Sequence, residues 1–266
     1  MKDLKAYGGW ALVTGAAMGL GRAFAEYIAS RGVDCVLVDC EEQAVVGLAE
    51  ELTAAHGVEC RAVVQDLTDD GFQDAIVGAT AGVPVRILVN NAGIACGGDF
   101  ATRDPGQLGR VVQVNCLAPV LLTRAFLPGM LEAGRGAVIF VGSLMSFVSA
   151  PQEAVYCGSK AFTLHLGEAL WGELRRSGVD VLTVCPAGVR TGFYAKDGIE
   201  PEDVKWLLRY SARPGEVVER TFHELGKKPT TAACVAWWAG FLTRFGPRRA
   251  AVRVVEFLVG RLAHHR

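Results

Sequence analysis

Trp10-Ala11-Leu12-Val13-Thr14-Gly15-Ala16-Ala17-Met18-Gly19-Leu20-Gly21 carries a short apolar run straight into a glycine-rich turn, and a helical pattern over 20–30 follows at once. The run is short enough to be a buried strand. Glycines at such a turn let the chain fold tightly and let a pyrophosphate approach the backbone, seated on the positive end of the next helix. Gly15, Met18, Gly19, Leu20 and Gly21 are therefore candidate dinucleotide contacts. Their spacing is not G-x-G-x-x-G, and a purely structural turn would also use glycines, so the rest of the chain must decide.

Outward from this stretch, apolar runs at 35–39, 61–64, 87–90, 137–141 and 179–185 alternate with helical patterns at 41–55, 70–80, 107–131 and 153–176. Such β-α-β alternation predicts an α/β fold, a doubly wound parallel sheet of Rossmann type with helices on both faces. No repeat, low-complexity segment or linker divides the 266 residues, and a single domain over 1–266 is expected.

Strand ends supply the next candidates, because ligands of a doubly wound sheet sit at the carboxyl edge. Asp39 lies 18 residues beyond Gly21, where its carboxylate can accept from the ribose hydroxyls of an adenosine. That carboxylate repels a 2′-phosphate, and Ala16, Ala17 and Cys40 bring no compensating cation, so NAD is expected in preference to NADP. Capping the helix that starts near Glu41 is the plainer role for Asp39. Asp66 and Leu67 follow the third strand, with Asp66 placed to face an adenine amino group. Asn90-Asn91-Ala92-Gly93 follows the fourth and suits a shaped turn along the dinucleotide. Asn115 is a polar residue within a long apolar helical stretch, where it needs a partner.

Ser143 to Lys160, SLMSFVSAPQEAVYCGSK, holds the chemistry. If Tyr156 begins a helix, Lys160 at i+4 shares its face, and an ammonium near a phenol favours the phenolate. Such a pair suits proton exchange with an alcohol or carbonyl oxygen, to which Ser143 can donate a hydrogen bond. Chance would supply about 0.13 Tyr-x-x-x-Lys pairs in a chain of this composition, so the pair gains its weight from context.

Composition narrows the alternatives. With 51% hydrophobic residues, 21% charged residues and a net charge of −1, nothing favours nucleic acid. Eight cysteines lack both Cys-x-x-Cys pairing and histidines at ligand spacing, which argues against zinc and against a disulfide framework. No run reaches the roughly 18 uncharged apolar residues of a spanning helix, and the start reads as a strand and not a signal peptide, so a soluble, cytoplasmic protein is expected.

Together these motifs resemble the short-chain dehydrogenase/reductase (SDR) family from about Trp10 to Thr191. Thr14-Gly15-x-x-x-Gly19-x-Gly21 matches its cofactor turn, Asn90 to Gly93 its sheet-stabilising motif and Tyr156-x-x-x-Lys160 its active-site pair, with Ser143 placed 13 residues before Tyr156. The resemblance implies Tyr156 as acid/base, Lys160 as the group that binds the nicotinamide ribose and lowers the tyrosine pKa, Ser143 as the group orienting the substrate oxygen, and Asn115 as holder of a relay water. It also implies that Pro186, Val189 and Thr191 lie along the nicotinamide, although Ala187 replaces a usual glycine. Family members often end in a strand with Asp-Gly-Gly, absent here, so the C-terminus is similar to the branch that ends in extra helices.

The expected activity is hydride transfer between NAD(H) and a secondary alcohol or ketone. Phe193, Tyr194, Trp206, Leu207 and Tyr210 fall in an expected substrate lid over 192–230, which favours a lipophilic substrate; the same residues would serve equally as a core stripe. An NADPH-dependent carbonyl or 3-ketoacyl reductase is the first alternative, and a non-catalytic dinucleotide-sensing protein is the second. The helical extension expected over 233–266 ends in a basic amphipathic pattern, suited to weak contact with a membrane surface but more often packed on protein. Apolar residues around 153–176 cover too wide an arc for one buried stripe, so a homodimer or homotetramer paired through this helix is expected.

Overall fold

A computed structural model describes residues 3–186 and 212–232, with Val252 and Arg253. Strands and helices alternate as β1 (Trp10–Thr14), α1 (Gly19–Ser30), β2 (Cys35–Asp39), α2 (Glu42–His56), β3 (Cys60–Val64), α3 (Phe72–Ala79), β4 (Val85–Asn90), α4 (Pro105–Val112), α5 (Ala118–Glu132), β5 (Gly136–Val141), α6 (Ala154–Leu174), β6 (Val179–Val184), α7 (Pro214–Glu224) and β7 (Thr230–Thr231). The strands form one sheet in the order β3-β2-β1-β4-β5-β6-β7, every pair parallel. The doubly wound architecture read from the alternation is therefore present.

Period-2 alternation within β1 divides the core. Ala11 and Val13 join the cluster built with α1, α2 and α7, whereas Trp10 and Leu12 join the one built with α3, α5 and α6. Chain order reverses between β1 and β4, so Thr14 and Asn90 end beside each other at the crevice where such sheets bind ligands.

The 107–131 pattern proves to be three pieces: α4, a π turn over Gln113–Leu117, and α5. Pro119 has no N–H to give the Asn115 carbonyl, and Ala118 N–H instead reaches back to Gln113 O. The freed Asn115 carbonyl accepts from Thr163 Oγ1 on α6 at 3.2 Å. By length and apolar content alone this 28-residue run could cross a bilayer, but it packs along the sheet, with Val111, Val114, Leu122 and Met130 buried.

One expectation about the C-terminal third changes, and the final strand, which the sequence leaves open, is present. Within the stretch assigned to a lid, α7 is a core helix: Val217, Val218 and Phe222 are buried, and the Phe222 ring stacks on Tyr27 at 4.9 Å between centroids. The pattern Val217, Val218, Thr221, Phe222 is an ordinary helical stripe, masked in the sequence by the aromatic residues upstream of it. A last strand also exists without Asp-Gly-Gly, since Pro229 O accepts from Thr183 N and Thr231 O from Cys185 N. Residues 187–211 and the tail beyond 232, apart from Val252 and Arg253, lie outside the described residues, so the remaining lid and the helical extension do too.

Candidate active site

The cradle is built first by Thr14. Its hydroxyl donates towards Val89 O at 3.3 Å and accepts from the amides of Asn91 and Ala92 at 3.1 and 3.0 Å, which clamps the turn after β4 to the end of β1. Asn91 returns the tie: its side-chain amide donates to Thr14 O at 2.8 Å and Gly15 O at 3.0 Å. Close approach explains the glycines here. A Cβ on Gly21 would lie 1.9 Å from Gly15 O, and Gly15 adopts φ +63° with Ala92 Cα 2.9 Å from where its Cβ would be.

Asp39 also serves the turn, accepting from Ala17 N at 2.9 Å through one oxygen and from Glu41 N at 3.1 Å through the other. Asp39 thus braces the two turns and does not cap α2, whose N-cap is Glu41 and which has no side-chain cap, and each of its oxygens keeps a second lone pair. Asp66 accepts from the Thr68 amide and hydroxyl, both at 2.8 Å, and from Arg110 at 3.0 Å. Burial pushes its carboxyl up, but these three donors outweigh it and leave the group below its ordinary value.

These residues fit a dinucleotide. Helix α1 starts at Gly19 with no side chain capping it, so its first N–H groups are not taken by a capping side chain, while the glycines leave the backbone bare. Met18, at the cap, is 41% exposed. Leu67 is buried and lines a small cavity with Thr14, Asn90 and Ala92, and a Cβ on Gly93 would meet Lys160 Nζ at 3.0 Å.

The chemical half stands at the ends of β5 and on α6. Lys160 lies one turn after Tyr156, its Nζ 5.9 Å from the centre of the phenol ring and donating to Val141 O at 3.0 Å. Its side chain is buried, and desolvation lowers its pKa to about 8, against smaller opposing effects of Cys185 and Cys116. A value near 8 leaves the ammonium mostly charged at neutral pH, so it still favours a neighbouring phenolate. The adjacent Cys185 thiol is pushed by burial up to about 12 and stays protonated there.

Ser143 extends from β5 with φ −158° and caps a short 3-10 turn over Leu144–Ser146. Its Oγ accepts from Met145 N at 3.1 Å, which orients the hydroxyl and leaves its O–H as a donor. Leu144 N binds Pro186 O at 2.8 Å, joining this turn to the buried start of the segment after β6. Val189 and Thr191 lie outside the described residues.

Asn115 uses both side-chain N–H groups and one of its two Oδ1 lone pairs on protein. It accepts from Ile94 N and donates to Ile94 O and to Ser159 Oγ, each at 2.9 Å. Ser159 in turn donates to Tyr156 O at 2.8 Å. A relay therefore runs from the π turn through Ser159 to the backbone of Tyr156. Ser159 and Thr163 were absent from the sequence-derived candidates, although two buried hydroxyls at i and i+4 on a helix are a signal that a polar partner faces them.

The short chain dehydrogenase family model matches residues 9–201. The chain belongs to this family. Among curated relatives, it is 35% identical to a very-long-chain 3-oxoacyl-CoA reductase of Aspergillus clavatus over 68% of this chain and 54% of that protein. It is 31% identical to the protein of the same description from Bos taurus, over 69% of this chain and 60% of the other. The match thus spans little more than half the length of these relatives. Among solved structures, one described by 7beta-hydroxysteroid dehydrogenase stereoselectivity has a TM-score of 0.88 at 25% identity, over 96% of this chain and 99% of that one. A Sphingobium yanoikuyae short-chain dehydrogenase in complex with NADPH has a TM-score of 0.78 at 30% identity, over 88% and 92%.

Proposed function

We propose that this short-chain dehydrogenase transfers hydride between NAD(H) and a lipophilic secondary alcohol or ketone. The observation that carries the reading is the buried Lys160 ammonium, one turn from Tyr156, tied to the Val141 carbonyl two residues before Ser143 and abutting Gly93 of the cradle. A bound nicotinamide dinucleotide supplies the hydride donor or acceptor. Tyr156 gives a proton to the substrate oxygen during reduction and takes it during oxidation, and Lys160 keeps the phenolate accessible. Ser143 donates to the same oxygen as charge develops on it. Asn115 and Ser159 position the first turn of α6 and hence the phenol.

Residues of the α1 N-terminus, with Asp39, Leu67, Ala92 and Gly93, would hold the dinucleotide. NAD is favoured over NADP because the Asp39 carboxylate is fixed at the end of β2 by two amides, where a 2′-phosphate would meet its charge. A second reading, an NADPH-dependent 3-ketoacyl reductase, draws on the description shared by the curated relatives. Pairing of two copies through α6 draws on Phe162, Val112 and Leu117, apolar residues left exposed on α6, α4 and the π turn.

A panel of secondary alcohols, steroids and hydroxyacyl thioesters, assayed with NAD and then NADP, tests the reading. Turnover of a lipophilic alcohol with NAD is expected. Turnover of hydroxyacyl thioesters alone, with NADP, moves the assignment to the second reading, and tight dinucleotide binding without any turnover moves it to a sensing protein.

A further inference from the structure

We propose that Cys35 and Cys60 form a dithiol that a hydroperoxide oxidises to a disulfide. The two residues are register partners on adjacent parallel strands, β2 and β3. Strand spacing puts such Cα atoms about 4.8 Å apart, inside the range a disulfide spans. Partner residues point to the same face, and Cys60 packs against the core cluster that contains Cys35. Both thiols are free, and the Cys35 thiol donates to Val33 O at 3.4 Å.

Their surroundings differ in the way a two-step oxidation needs. Cys60 is half-buried on the edge strand, so a small peroxide can reach it, whereas Cys35 is fully buried. The neighbouring polar groups of Cys35 and Thr53 hold the Cys60 thiol below its usual value in spite of burial. Cys35 is pushed up by the neighbouring Cys60 and by burial, and Asp34 disfavours the charged form of both. Cys60 is therefore the attacking sulfur and Cys35 the resolving one.

In the first step the Cys60 thiolate attacks the peroxide: an S–O bond forms, the O–O bond breaks, and the departing alkoxide or hydroxide takes a proton. The product is a sulfenic acid at Cys60. Cys35 sulfur then attacks Cys60 Sγ and its proton leaves with the hydroxyl as water. Two thiols are oxidised by two electrons and the peroxide is reduced to alcohol or water. The bridge pins β3, which the sheet holds on one side only. It lies at the amino ends of the strands, opposite Asp39 and Asp66, so the cofactor cradle is untouched.

Treating the full-length protein with hydrogen peroxide and mapping peptides without reductant tests this. The expected product is a Cys35–Cys60 crosslinked peptide, reversed by dithiothreitol, with a rise in unfolding midpoint of about 5 °C and an unchanged NADH Kd. In Cys35→Ser the sulfenic acid is expected to persist and to be captured by dimedone at Cys60. In Cys60→Ser, Cys35 is expected to remain unlabelled. Cys35→Ala replaces Cys35→Ser if circular dichroism shows the serine variant unfolded. Both thiols surviving peroxide, a bridge to another cysteine, or dimedone capture anywhere but Cys60 overturns the proposal.

Discussion

The glycine turn and the Ser143–Lys160 region share one crevice but use their polar groups in opposite ways. Around the turn, Thr14, Asn91 and Asp39 spend hydrogen bonds on one another's backbone, so the side chains shape the cradle and bare backbone is left to meet a ligand. Around α6, the Ser143 O–H and two of the three Lys160 N–H groups are not spent on other described residues. The first region is a mould and the second is a set of reagents. Substitutions in the mould should move stability and cofactor affinity together, whereas substitutions among the reagents should separate turnover from binding.

The largest stability effect belongs to the buried ammonium. Lys160 has a folded-state pKa of about 8, below the ordinary lysine value near 10.4, so between those pH values the unfolded chain holds more protons and stability rises with pH. Relative to Lys160→Met, the wild type is expected to gain up to about 3 kcal/mol as pH rises from 8 to 10.5. Urea unfolding of both proteins across that window measures it; parallel curves would show that the lysine is not desolvated.

A smaller loss is expected in the mould. Asn91→Ala leaves the Thr14 and Gly15 carbonyls without their side-chain donors and should cost about 1–3 kcal/mol, together with about tenfold in NADH affinity. Unfolding and titration on one sample check the coupling, and a loss of affinity at full stability would make Asn91 a direct ligand. Smallest is Asp39→Ala, expected to raise the NADPH to NADH affinity ratio by about tenfold, near 1.4 kcal/mol. An unchanged ratio would leave Asp39 only its bonds to the Ala17 and Glu41 amides.

The sequence made the mould legible as a shape and the reagents legible as chemistry. Strand-to-helix punctuation at Gly15–Gly21 and the Tyr156 to Lys160 spacing are local properties, readable without knowing the fold. What connects them is not local. Thr14 to Asn91, Asp66 to Arg110 and Asn115 to Ser159 join residues 77, 44 and 44 positions apart, and only packing reveals which donor meets which acceptor. The π turn was hidden for a related reason: Pro119, in the middle of the 107–131 pattern, signals a break but not its form, which depends on Thr163 arriving from α6 to take the Asn115 carbonyl. Helix α7 was hidden by composition, because aromatic residues before it suggested a cover where Phe222 in fact fills the core.

Tyr156→Phe tests the division between mould and reagents most directly. With one preparation assayed for turnover and titrated with NADH, turnover is expected to fall at least about 100-fold, the usual loss for a general acid/base, while NADH affinity stays within about twofold. Near-normal turnover, or a loss of affinity as large as the loss of rate, would contradict the assignment of proton transfer to Tyr156.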